Sequence, residues 1–149
     1  MKKFMALLVT TSMLASMAGM AGAVNIDSND AVAFNISGAS CTDTSSYKDA
    51  EERAYKRDNS VHAIYVRHWV TGGSSDYTNH FRGRKEQGSN LVTCGSKWCT
   101  VGMNVPIQSN SIVYRSNYTL AGRGNTNHYD YDGVSAVTLH GNMYVNATN

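Results

Sequence analysis

Proline is almost absent: Pro106 is the only one in 149 residues. No proline-rich or low-complexity segment divides the chain, and no repeat of fixed period runs along it, so one domain is the simplest organisation. Catalytic spacing is missing too. The five histidines include no H-x-H or H-E-x-x-H pair, and no G-x-S-x-G elbow occurs. Outside the N-terminal segment, no stretch approaches the about 20 apolar residues that a membrane span requires. Methionine is scarce beyond residue 23, since five of the seven precede it.

Those first residues have a recognisable order. Lys2 and Lys3 precede a mostly apolar run from Phe4 to Leu14, and small residues lead to Ala21-Gly22-Ala23. This is the n-region, h-region and A-x-A sequence of a secretory signal, which predicts export and cleavage near Ala23. Residues 24–30 read as a mobile leader, and 31–149 as a single β-rich domain. Cleavage would remove two of the 13 Lys and Arg and none of the 11 Asp and Glu, taking the formal charge from +2 to 0. A neutral chain has no global field to draw in nucleic acid, and none is expected as a partner.

Cys41, Cys94 and Cys99 lie beyond the cleavage point, where disulfides are chemically allowed. Three is odd, so one thiol is left over or pairs with another molecule. Cys94-Gly95-Ser96-Lys97-Trp98-Cys99 reads as a hairpin tip, and directly opposed strand residues are close enough to bridge. Cys94–Cys99 is therefore the first choice. The alternative joins Cys41 to either of them, and the longer loop favours it by chain entropy, roughly 4 against 2 kcal/mol.

The pattern beyond residue 31 is that of strands. Val32, Phe34 and Ile36 alternate with smaller or polar residues, and Val61–Val70 is dense in β-branched and aromatic side chains. In the latter, Val61, Ala63, Tyr65, Arg67 and Trp69 would share one face; His62, Ile64, Val66, His68 and Val70 the other. Further short strands are expected at 77–82, 91–94, 99–105, 111–115, 118–121 and 134–145, with turns between them. Tyr47–Asp58 fits either a short helix or a charged edge strand. The whole predicts an all-β fold, an antiparallel β-sandwich or open barrel.

The chemistry-bearing residues are weak signals one by one. His62 and His68 are six residues apart on an extended strand, roughly 20 Å, too far to share a metal. Asp130 and Asp132 before Gly133 resemble a calcium loop, but its twelfth position falls on Leu139 instead of Glu. No metal and no cofactor is expected. Arg82-Gly83-Arg84-Lys85 could contact phosphate or an anionic envelope polymer, but it reads better as a solvated loop because Glu86 follows at once. The aromatics are more suggestive. Tyr65, Trp69, Trp98 and Tyr114 are candidates for an aromatic binding face, while Tyr77, Tyr118, Tyr129, Tyr131 and Tyr144 could extend it or serve as cross-strand packing.

Three stretches carry a family resemblance: the signal with the alternating strand after it, Ala54–Val61 leading into a Tyr-Val strand, and Ser111–Gly122. In these the chain resembles a family of small secreted proteins from Gram-positive, Firmicutes-type bacteria whose function is not established. The resemblance implies an all-β secreted domain in which Tyr47–Asp58 is extended, and it implies no activity. The functional expectation is a secreted, non-enzymatic protein that binds a cell-envelope polymer or a surface protein. A bacteriocin-like antagonist is the alternative, and an extracellular hydrolase a weaker third.

Overall fold

The computed structural model describes residues 26, 30–57, 61–73, 78–129 and 132–147. The expected signal segment lies outside the described residues, as do Tyr77, Asp130 and Tyr131. Among the described residues, nine strands and one helical turn follow in chain order: β1 Val32–Ser40, β2 Lys48–Asp49, β3 Ala54–Lys56, β4 Ala63–Thr71, β5 Thr78–Gln87, β6 Asn90–Thr100, β7 Val105–Gln108, β8 Ser116–Arg123, α1 Thr126–Tyr129 and β9 Ala136–Tyr144. They make two antiparallel sheets. The first has the order β1-β9-β4-β7; the second has the order β2-β8-β5-β6, with β3 also paired to β8. The all-β sandwich expected from the alternation is the fold observed.

The alternation places the core. Phe34 and Ile36 of β1, Ile64 and Val66 of β4, Phe81 of β5, Ile107 of β7, Leu120 of β8, and Leu139 and Met143 of β9 are buried in one cluster between the sheets. The Phe34 and Phe81 rings meet edge-on with centroids 5.8 Å apart, joining the two layers. Burying each such side chain contributes about 1.5–3 kcal/mol relative to exposure. In β4 the intervening residues point outward, and there Ala63 and Tyr65 join Val61, Tyr144 and Ala147 in a second, smaller buried cluster. Ile26 and Ala31 pack against it, and Asp30 pairs with Arg57. Part of the leader expected to be mobile is thus anchored to the domain.

Three local readings change. First, Cys94 and Cys99 do not flank a hairpin tip: β6 is continuous through both, and its turn to β5 lies at Gly88, with φ of 63°, and Ser89. Five residues apart on one strand, the two sulfurs cannot bridge, and Cys41, Cys94 and Cys99 are all free and buried. Gly95 looked like a turn residue but serves close packing. A Cβ there would come within 3.0 Å of the Gln108 carbonyl oxygen. Second, Arg82-Gly83-Arg84-Lys85 is no loop: it is the middle of β5, between β6 and β8. Third, the expected strand at 111–115 is a loop, tied down by Tyr118. Its buried hydroxyl accepts from the Val113 N–H at 2.6 Å and donates to the Val113 carbonyl at 2.7 Å. Of the two readings left open for Tyr47–Asp58, the strand is the one found: within 47–57, β2 and β3 pair with β8. Pro106 sits on β7, an edge strand of the first sheet, where its missing N–H leaves no gap in the ladder.

Candidate functional site

The four residues proposed for an aromatic face do not share one. Tyr65 is 8% exposed, within the small cluster outside the first sheet. Trp69 stands on the outer face of the same sheet, beside His140 in register and with the Arg67 guanidinium 5.2 Å from its ring. Tyr114 lies in the loop before β8, with Arg115 5.4 Å from its ring. Tyr118 and Tyr129 are fully buried and Tyr144 nearly so. Trp98 belongs to β6 of the second sheet and is 43% exposed.

Around Trp98 the second sheet assembles a cluster that sequence reasoning missed. Strand register sets Arg123 of β8, His80 of β5 and Trp98 of β6 in one cross-strand row on the outer face. Outward direction follows from the period of two: Asn79 and Phe81, on either side of His80, are buried. The His80 and Trp98 rings meet edge-on at 4.8 Å. Tyr47, in the segment before β2, closes the row. Its ring lies 5.6 Å from His80, and the Arg82 guanidinium stacks on it at 3.6 Å. Arg123 lies 5.0 Å from the Trp98 ring and 5.4 Å from that of Tyr47.

Hydrogen bonds link the cluster. Arg123 Nε donates to the Tyr47 hydroxyl at 3.1 Å, and the same hydroxyl is hydrogen-bonded to His80 Nδ1 at 2.6 Å. In the tautomer in which the hydroxyl donates to Nδ1, a neutral His80 carries its proton on Nε2, as a donor. Burial, with Arg123 and Arg82 adding repulsion, holds the imidazole below its usual pKa and favours that neutral form. Arg123 is 7% exposed and also donates from Nη1 to the Gly124 carbonyl at 3.0 Å.

The charges on this face divide into two groups. Arg84 Nε lies 3.2 Å from Asp49, and Arg53 Nε bonds Glu86 at 2.9 Å. Glu86, whose second oxygen accepts from Asn117 at 2.8 Å, is held below the usual carboxylate range by Asn117 and Arg53. Arg82 and Arg123 form no ion pair among the described residues. The acid that Arg123 influences through space, Asp43, directs Oδ1 to the Ser45 N–H and hydroxyl at 2.8 and 2.7 Å, which lower its pKa first. Among the described residues, the two guanidiniums are therefore held by aromatic rings and neutral oxygens without an ion pair, and Asp43 acts on Arg123 only through space. Cation–π contact holds such a group at a cost in ordering but leaves its N–H fork available.

Cys41, Cys94 and Cys99 are buried elsewhere in the fold. Burial pushes the thiols of Cys41 and Cys94 up to about 11 and that of Cys99 to about 12, where the thiolate is scarce. Two clefts of about 260 and 300 Å³ flank β3 and β2, and neither is lined by His or Cys. Among the described residues no three of His, Cys, Asp and Glu are grouped to hold a metal ion, and no helix is long and apolar enough to cross a membrane. In comparisons with known proteins, no family model, no curated protein and no solved structure matches the chain.

Proposed function

We propose that the chain is a secreted, non-enzymatic protein that binds a polymer of the cell envelope through the outer face of its second sheet. The observation that carries this reading is the exposed Trp98 ring set beside a braced Tyr47–His80 pair. A flat apolar surface already fixed by its neighbours loses little conformational freedom when a sugar ring stacks on it.

The test is co-sedimentation of the purified protein with intact Gram-positive cells and with stripped cell walls, counting survivors in the same tubes. Saturable pelleting without killing is expected. Trp98→Ala should weaken it about tenfold or more, as loss of an aromatic anchor does, while Trp69→Ala on the other sheet leaves it unchanged. Equal effects of the two substitutions would sink the assignment to this face. Loss of viability would move the protein to the antagonist class.

A further inference from the structure

We infer that Arg82, Arg123 and His80 form a subsite for a phosphodiester group of the bound polymer, with the adjoining sugar laid on Trp98. The inference rests on the envelope-binding reading only for the source of the phosphate; the subsite itself stands on geometry.

Three observations converge on it. The first is the charge pattern of β5: of its outward arginines, Arg84 is paired with Asp49, whereas Arg82 stacks on the Tyr47 ring and has no ion pair among the described residues. The second is the burial of Arg123. This residue is 7% exposed and has no carboxylate in an ion pair among the described residues, so its guanidinium carries a desolvation cost that neutral oxygens only partly offset. An incoming anion would remove that cost. The third is the hydrogen-bonded chain from Arg123 Nε to the Tyr47 hydroxyl to His80 Nδ1, which engages Nδ1 and leaves Nε2 to face a ligand. The Arg82 fork, the Arg123 N–H groups not engaged by Tyr47 and Gly124, and His80 Nε2, brought from β5 and β8 around one tyrosine ring, supply donors from several directions. A carboxylate presents its lone pairs in one plane, whereas the oxygens of a tetrahedral phosphate are not confined to one plane and suit donors that arrive from several directions.

The surroundings restrict the ligand further. Residues 24–149 carry 11 basic and 11 acidic residues, so attraction is confined to this patch and does not extend to polyanions in general. Trp98, in register with His80, places an exposed aromatic ring next to the anion position. A repeating unit of phosphodiester and sugar or polyol matches that pair of subsites; a bare inorganic anion uses only one.

Trp98 itself can report binding. Trp69→Phe removes the other of the two tryptophans in the chain. In that background, fluorescence would be followed on titration with glycerophosphoglycerol, a soluble phosphodiester, and with sodium acetate and glycerol at constant ionic strength. A saturable change with the diester is expected, acetate at least about tenfold weaker, and glycerol without effect. Arg82→Gln should weaken diester binding about tenfold, and Arg82→Lys less. Arg82 and Tyr47 are both half-buried and their contact is a cation–π one, so Arg82→Gln should lower the denaturation midpoint only slightly and keep a cooperative transition, separating lost binding from lost fold. No saturable change, an equal response to acetate, or an unaffected Arg82→Gln would overturn the subsite. A response to phosphatidylglycerol vesicles but not to the soluble diester would also overturn it, in favour of a membrane surface. Diester binding by a protein that fails to pellet with walls would support the subsite and reject the wall polymer as its source. Wall pelleting with no diester binding would do the reverse.

Discussion

Asn79 of β5 and His68 of β4 meet in the core, Nδ2 to Nε2 at 2.9 Å, so a hydrogen bond crosses between the two sheets. Both side chains are fully buried, and the His68 ring also packs edge-on against Phe81 at 4.8 Å. The amide donates to a neutral imidazole, and a second proton on that ring would have to be placed in an apolar layer.

Stability should therefore depend on pH through His68. Burial, with a smaller contribution from His140, lowers its pKa from 6.5 to about 4. Between those values the unfolded chain binds the proton and the folded one does not. The stabilisation is complete above about pH 6.5 and is lost as pH falls toward about 4, by about 3 kcal/mol in all. Urea denaturation at pH 7.5 and pH 4 would measure this, and His68→Leu should flatten the slope across that window. An unchanged slope in the variant would assign the acid sensitivity to other groups.

Asn79→Ala should cost about 1–3 kcal/mol at pH 7.5, because it leaves a buried ring nitrogen without its partner. The double variant Asn79→Ala with His68→Leu should lose less than the two single losses summed, since the second change removes the orphaned group. Additive losses in denaturation experiments would show that the inter-sheet bond carries no coupling energy.

Gly141 is required by the approach of two backbones. A Cβ at this position of β9 would lie 2.1 Å from the Arg67 carbonyl oxygen and 2.7 Å from the His68 Cα. Neither atom can move without displacing β4 from β9. Gly141→Ala should destabilise by about 3 kcal/mol or more, visible as a lowered Tm. Gly88→Ala, at an open turn with φ of 63°, is strained but not blocked and should cost about 1 kcal/mol.

The thiols give a covalent test of the strand assignment. Digestion without reduction should yield no Cys94–Cys99 cross-linked peptide, and alkylation in denaturant without reductant should modify Cys41, Cys94 and Cys99 alike. In the native protein at pH 8, all three should react slowly, being buried and held well above that pH. Rapid native modification of one of them would contradict its burial.

Tyr118→Phe removes a hydroxyl that both accepts from and donates to Val113. The loss should be about 1–3 kcal/mol. Amide hydrogen exchange should speed up locally at Val113 and leave β4 and β9 unchanged. Uniform acceleration would mean that the loop and the sheets open together.

The alternation of side chains was enough to specify what is local. Phe34 and Ile36 in β1, and Ile64, Val66 and His68 in β4, face the space between the sheets because successive residues of a strand point to opposite sides. The all-β class and the outward position of Trp69 follow from the same rule. Tertiary structure decided whatever depended on neighbours distant in sequence. Gly95 has the composition of a turn, yet it is a glycine because the β7 backbone passes against it. The tip of that hairpin falls instead at Gly88, and with it goes any bond between Cys94 and Cys99. In β6, Cys94 is the extra residue opposite the Gly83–Arg84 junction. This bulge explains how two cysteines an odd number of positions apart both come to be buried. The candidate site is the strongest case. Tyr47, His80, Arg82, Trp98 and Arg123 have no common spacing, and no pattern in the chain links them. They meet because antiparallel register sets β8, β5 and β6 side by side and a loop lays Tyr47 across the row. Which arginines found a carboxylate, and which were left with only rings and neutral oxygens, was settled by that pairing.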